Sequence, residues 1–181
     1  MIYSLRPADR QLVEEIAQAR TRANFERTGQ NKHYAPGNHL DVERTGAAGE
    51  VAFSRVFGYP VDVDKKPDQG WDFCLQGNKA WPELTLDVKT RREGTSCCHD
   101  LALNQPDPRK MPAEFYLAAC VDVLDVDLVG WLTRFDFRTR GHAEVISSKV
   151  TDAGTRWLVW ERLLRPTEEL LWFVELLRDK L

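Results

Sequence analysis

The chain has 181 residues, of which 43% are hydrophobic and 29% charged. That is the composition of one globular domain, long enough to bury a core without disulfide or metal staples, and it excludes a disordered segment. A net charge of −3 and an isoelectric point near 5.8 argue against coating nucleic acid by bulk electrostatics, though a local basic rim around an acidic centre stays compatible with both.

No apolar run approaches the ~20 residues of a membrane span. The first stretch, MIYSLRPADRQLVEE, lacks the apolar core of a signal peptide, so a soluble, cytoplasmic protein is expected. The cysteines are Cys74, Cys97, Cys98 and Cys120. Adjacent cysteines cannot easily bridge each other, and with no secretory context reduced thiols are expected.

The whole chain, 1–181, reads as a single domain. The spacing predicts an N-terminal helix over 7–27, with Pro7 in its first turn and Leu12, Ile16, Ala19 and Ala23 recurring at helical spacing. Arg20, Arg22 and Arg27 crowd its C-terminal half, where the helix dipole favours cations. A polar loop holding His33 and His39 follows. A second helix is expected over 41–57, stopped by Gly58 and Pro60. Its Gly46, Ala47, Ala48 and Gly49 are poor material for an exposed helix and fit close packing against a sheet.

Short extended runs come next. Trp71, Phe73 and Leu75 alternate with Asp72 and Cys74, and a QGN turn at 76–78 leads to ELTLDVKT. In that strand Leu84, Leu86 and Val88 face one way, and Thr85, Asp87 and Lys89 the other. EFYLAACVDV reads as a central buried strand and LVGWLTRFDF as its partner, linked by VDVLDVD. RWLVWERLL fits either a strand or a helix. A closing amphipathic helix is expected over 166–181.

Asp72, Asp87 and Lys89 carry the chemistry. If their strands pair as a hairpin, both carboxylates project from one face and converge. Their repulsion is relieved by a hard divalent cation with oxygen ligands, Mg²⁺ or Mn²⁺. Lys89 then points to the same side, where it can orient a water and offset charge on a phosphorane-like transition state.

GAAGEVAF at 46–53 on a helix, then GWDF at 70–73, then LDVKT at 86–90 resemble the PD-(D/E)XK nuclease superfamily. The AEFY and GWLT runs downstream extend the resemblance over about 43–137, within a core of about 41–137. The resemblance implies a restriction-endonuclease-like α/β core, a mixed central sheet flanked by helices, in the order helix, three-stranded meander, helix, strand. It assigns the family's helix glutamate to Glu50, its metal-binding aspartate to Asp72, and its acidic-x-lysine strand to Asp87 and Lys89; Asp72 and Asp87 would hold the metal, and Glu50 would bind a second ion or its water. Pro67 and Asp68 carry the family's name but sit in a loop-like KKPDQG. The implied activity is Mg²⁺- or Mn²⁺-dependent hydrolysis of DNA leaving 5′-phosphates. No Q-x-x-x-Y helix follows Lys89, which favours an endonuclease over a processive exonuclease.

Arg91 and Arg92 follow the catalytic strand and could clamp phosphates flanking the scissile bond. Arg134 and Arg138, with Arg140, Lys149, Arg156, Arg162 and Arg165, outnumber the acidic residues of their segment and could form a DNA-facing rim. Each of these residues also has an ordinary reading. Asp72 could cap a strand edge, Asp87 and Lys89 could be a solvated ion pair, and Glu50 and Glu83 could be surface residues. Cys97, Cys98 and His99 lack the paired C-x₂-C spacing of structural zinc. Trp131, Trp157 and Trp172 fall in apolar runs and are expected in the core. Two rival functions remain. One is a catalytically silent nuclease fold that binds nucleic acid. The other is an interaction subunit or homodimer docking through Leu170, Leu171, Phe173, Val174 and Leu177 of the closing helix.

Overall fold

Apolar runs of the sequence build a mixed five-stranded sheet with helices packed on it. In chain order the elements are β1 (Ile2–Ser4), α1 (Pro7–Thr28), α2 (His39–Phe57), β2 (Phe73–Leu75), β3 (Leu84–Arg92), β4 (Leu101–Leu103), β5 (Phe115–Asp122), β6 (Asp125–Thr133), α3 (Arg134–Arg140), β7 (His142–Ile146), β8 (Gly154–Val159) and α4 (Thr167–Asp179). The computed structural model describes residues 1–28, 39–63, 70–75, 84–94, 101–103, 112–146 and 154–179. The expectations for His33, Pro67 and Asp68, the QGN turn, Glu83, Cys97, Cys98, His99 and Lys149 lie outside those residues, as do those for the side chains of Arg27, Arg156 and Trp157.

The main sheet runs β1-β6-β5-β3-β2 and a second sheet runs β4-β8-β7. β3 and β5 are parallel, and every other pairing is antiparallel. The fold is therefore mixed α/β, with a central mixed sheet flanked by helices. It departs from a plain meander, because β5 runs alongside β3 rather than back against it. Among the described residues no helix stands between those two strands.

Leu86, Val88, Leu117 and Leu128 point to one side of the sheet, where they meet Val51, Phe53 and Phe57 of α2 and Leu170, Val174 and Leu177 of α4. Tyr116, Ala118, Leu132 and Phe137 form a smaller apolar cluster. Helix α2 approaches β3 most closely at Gly49, where a Cβ would stand 1.9 Å from Thr90 Oγ1. The small residues of α2 thus serve close packing at Gly49, but a Cβ on Gly46 would meet nothing within 4 Å. Gly58, at φ +70, ends α2 with its amide donating to the Ser54 carbonyl at 2.8 Å.

Several elements differ from the sequence reading. The RFDF end of the predicted LVGWLTRFDF strand is helix α3. There Thr133 Oγ1 accepts from the Asp136 amide at 3.0 Å and donates to the Asp136 carboxylate at 2.9 Å. This T-x-x-D cap outweighs the apolar alternation, leaving Phe135 exposed and Phe137 buried. The VDVLDVD link shrinks to a turn at Val123 and Leu124, with Val123 at φ 45. RWLVWERLL divides into the end of β8 and a 3₁₀ turn over Glu161–Leu163. The buried face of α1 carries Asp9, Val13, Ile16 and Ala17, rotated from the predicted Leu12, Ala19 and Ala23. Trp131 is buried as expected, but Trp172 is 66% exposed. No helix among the described residues is long and apolar enough to cross a membrane.

Candidate functional site

The hairpin of β2 and β3 places the acidic pair. Phe73 pairs with Leu86, and Asp72, just ahead of β2, lines the same cavity as Asp87 of β3. The Asp72 amide donates to the Leu86 carbonyl at 2.8 Å, and Asp72 Oδ2 accepts from the Val88 amide at 2.6 Å. The side chain thereby takes up a β3 donor just beyond the end of β2. Gly70 leads the chain into this position at φ +73, where any Cβ would stand 2.5 Å from Pro112 Cγ.

Asp87 is 6% exposed, and Lys89 Nζ sits 2.7 Å from its Oδ2. Burial pushes the Asp87 carboxyl up to about 7; Lys89 opposes the rise and Asp72 adds to it. For Lys89, burial alone would lower the pKa, but the charges of Asp87, Asp72 and Glu50 hold the ammonium above the ordinary lysine value. Two carboxyls and one ammonium, with Asp87 buried, therefore share one position beside the middle of β3, a setting typical of functional sites.

A cavity of about 230 Å³ opens beside them, lined by Arg20, Ala23, Asn24, Glu43, Gly70, Asp72, Asp87 and Lys89. Helix α1 supplies Arg20, Ala23 and Asn24, and α2 supplies Glu43. Burial pushes the Glu43 carboxyl up, against the pull of Arg20, a 3.1 Å hydrogen bond from Asn24, and His39.

Glu50, expected to join the carboxylates, is gripped from the other side. Arg20 Nη1 and Nη2 donate to its two oxygens, each at 2.7 Å, and the side chains are 15% and 6% exposed. Arg20 also feels Asp72 and Glu43, and despite its burial its pKa is raised by these neighbours, Glu50 foremost. Sequence reading credited Arg20 only to the helix dipole. The available signal was its place on the α1 stripe with Val13, Ile16, Ala17 and Asn24, because a charge on a buried stripe demands a partner.

The residues present fit a hard divalent cation of modest protein coordination. Asp72, just ahead of β2, and Asp87, on β3, offer oxygens at one cavity wall, and Asp72 makes the Asp87 charge costlier. Among the described residues no group of three or more His, Cys, Asp or Glu is placed to hold a metal. Two carboxylates with the remaining positions left to water is a common arrangement for Mg²⁺.

The predicted phosphate contacts lie outside the cavity wall. Arg91 shares the strand parity of Asp87 and Lys89 and is half-buried, whereas Arg92 is exposed. Arg134 is paired with Glu114 at 2.7 Å, and Arg138 is exposed on α3. Much of the expected basic rim is internally engaged. Arg140 and Arg165 flank Asp136 at 3.4 and 3.1 Å, and Arg162 stacks over Trp160 at 4.7 Å. Cys74 is exposed and Cys120 buried.

In comparisons with known proteins, no family model matches the chain, no curated protein matches its sequence, and no solved structure matches its fold.

Proposed function

We propose that the protein is a metal-dependent endonuclease that hydrolyses phosphodiester bonds of DNA and leaves 5′-phosphates, built on a restriction-endonuclease-like core. The observation that supports this reading best is the gathering of Asp72, Asp87 and Lys89 on the wall of one cavity, with Lys89 at 2.7 Å from Asp87.

In this reading Asp72 and Asp87 would hold Mg²⁺ or Mn²⁺. Bound there, the ion would supply Lewis acidity toward a phosphate oxygen and lower the pKa of a water. Lys89, fixed by Asp87, holds the attacking water in line with phosphorus and offsets negative charge as it grows on the phosphate oxygens. The water oxygen bonds to phosphorus as the bond to O3′ breaks; the proton that the water gives up ends on O3′, which leaves as a 3′-hydroxyl, and the phosphate stays on the 5′ carbon of the fragment that follows the cut. The half-buried walls limit bulk water and so strengthen each of these interactions.

One observation favours a second reading, a nuclease fold that binds nucleic acid without cutting it. Glu50 is tied to Arg20, and no third carboxylate joins the acidic pair in a metal-holding group among the described residues. The third reading, docking through the closing helix, is weakened by the burial of three of its five residues, while Leu171 and Phe173 are half-buried. Leu170, Val174 and Leu177 are buried in the protein's own core. Titration calorimetry with Mn²⁺, run beside a plasmid-nicking assay, separates the first two. Heat and nicking that both vanish in Asp72→Asn support the nuclease; DNA binding with neither supports the silent fold.

A further inference from the structure

The cavity wall carries one arginine among the described residues, and it is none of the four expected to meet phosphate. Arg20 reaches the cavity from α1, its side chain 15% exposed, with Glu50 held end-on at 2.7 Å by both terminal nitrogens. That pairing takes two of the five N–H donors of a guanidinium and leaves three for a second acceptor. A planar fork held by one carboxylate can present its other edge to a phosphate without moving, which an ammonium cannot do.

The charge distribution points the same way. Glu43, Asp72 and Asp87 make the wall acidic, which repels a phosphodiester unless cations face it. Lys89 is engaged by Asp87 at one end of the cavity. Arg20 is the other fixed cation on the wall, and Glu50 locks its orientation from behind. At about 30 Å³ per water, the cavity of about 230 Å³ has room for a phosphate group together with a hydrated ion.

We propose that Arg20 receives a backbone phosphate of the nucleic acid at this cavity, and that Glu50 is a positioning residue acting through Arg20 rather than a metal ligand. The proposal builds on the nuclease reading of the site, but its phosphate-binding part needs no catalysis.

Two measurements on the full chain test it. The first is fluorescence anisotropy of a labelled DNA duplex in EDTA. Arg20→Ala should weaken binding about tenfold and Arg20→Lys about threefold, since a lysine keeps the charge and loses the fork. Glu50→Gln should weaken it as well, and the double variant Arg20→Ala with Glu50→Gln should bind no worse than Arg20→Ala alone, because the two residues act as one unit. Where Arg20→Ala does not melt cooperatively, Arg20→Lys carries the comparison. The second is Mn²⁺ calorimetry, in which Glu50→Gln should keep the wild-type stoichiometry and an affinity within about twofold.

Wild-type DNA affinity in the Arg20 variants, additive losses in the double variant, or an Mn²⁺ affinity that drops about tenfold in Glu50→Gln would each overturn the proposal. Failure of the nuclease reading looks different. Wild-type protein would then neither bind Mn²⁺ nor cut DNA, while the Arg20-dependent binding in EDTA would persist.

Discussion

Asp72 shares one cavity wall with Asp87, held in place by the Val88 amide donating to its Oδ2 at 2.6 Å. Two carboxyls in that position work against the fold. The Asp87 carboxyl lies above its ordinary value of 3.8, at about 7, first through burial and further through Asp72. Folded protein therefore binds more protons than unfolded protein between those values, and stability falls as pH rises through that window.

Asp72→Asn removes one source of that strain while keeping an oxygen that can accept from Val88. It should raise the melting temperature near pH 8 and narrow the gap between melts near pH 5 and near pH 8, at ~2–4 °C per kcal/mol for a chain of this size. The same substitution should abolish cleavage. A variant melting at or below the wild-type temperature at both pH values would refute the repulsion.

Asp9 shows the opposite sign. It is fully buried at the start of α1 and accepts from Tyr3 Oη at 2.7 Å, Arg55 Nε at 2.7 Å, and both the amide and Nε of Arg6 at 3.1 Å. Burial alone would raise its pKa, but these donors hold it well below the usual carboxylate range. Its stabilisation is complete above the ordinary value and is lost as pH falls below it. Asp9→Asn should cost about 2–3 kcal/mol at neutral pH and flatten the acid limb of the stability curve. Chemical denaturation across pH checks both.

Gly49 and Gly46 should answer the same substitution with opposite signs. Alanine at 49 would place its Cβ 1.9 Å from Thr90 Oγ1 and 3.0 Å from Thr90 Cβ, so α2 would have to lift from β3. The expected loss is about 1–3 kcal/mol, which exceeds the helix-propensity gain of about 1 kcal/mol. At Gly46 nothing lies within 4 Å, and alanine should stabilise by about 0.5–1 kcal/mol. Equal effects in thermal melts would mean that the helix–sheet contact is misplaced.

Val123 occupies the turn between β5 and β6 at φ 45, a conformation that a β-branched residue adopts only at a cost. It is 85% exposed, so no packing is lost on replacement. Val123→Asn should gain about 1 kcal/mol. A melting temperature unchanged or lower than wild type would count against a strained turn.

What could be read from the sequence was what local periodicity controls. Asp87 and Lys89 fell on the expected face of β3 because side chains alternate along a strand, whereas Asp72 lies just ahead of the shorter β2. Glu50 fell on the expected helix. Interactions between distant segments were hidden. Arg20 and Glu50 stand 30 residues apart and lie on different helices, and nothing in either helix alone announces the pair. The polar stitching of α1 to α2, through Asp9 with Arg55 and Glu14 with Arg44, likewise rotated the buried face away from its apolar pattern. β1 is three residues long, too short for any period, and it joins the sheet through pairing with β6. Helix α3 was misread because a side-chain cap prevailed over an alternation that suited a strand.

Incubation of supercoiled plasmid and single-stranded DNA with Mg²⁺, Mn²⁺ or EDTA, for wild type beside Lys89→Ala, tests the central claim most directly. The expected result is cutting by wild type in either metal, none in EDTA, and a rate about a hundredfold lower or less in folded Lys89→Ala. Folded wild-type protein that cuts neither substrate in any metal, or a Lys89→Ala variant that cuts at the wild-type rate, would contradict it.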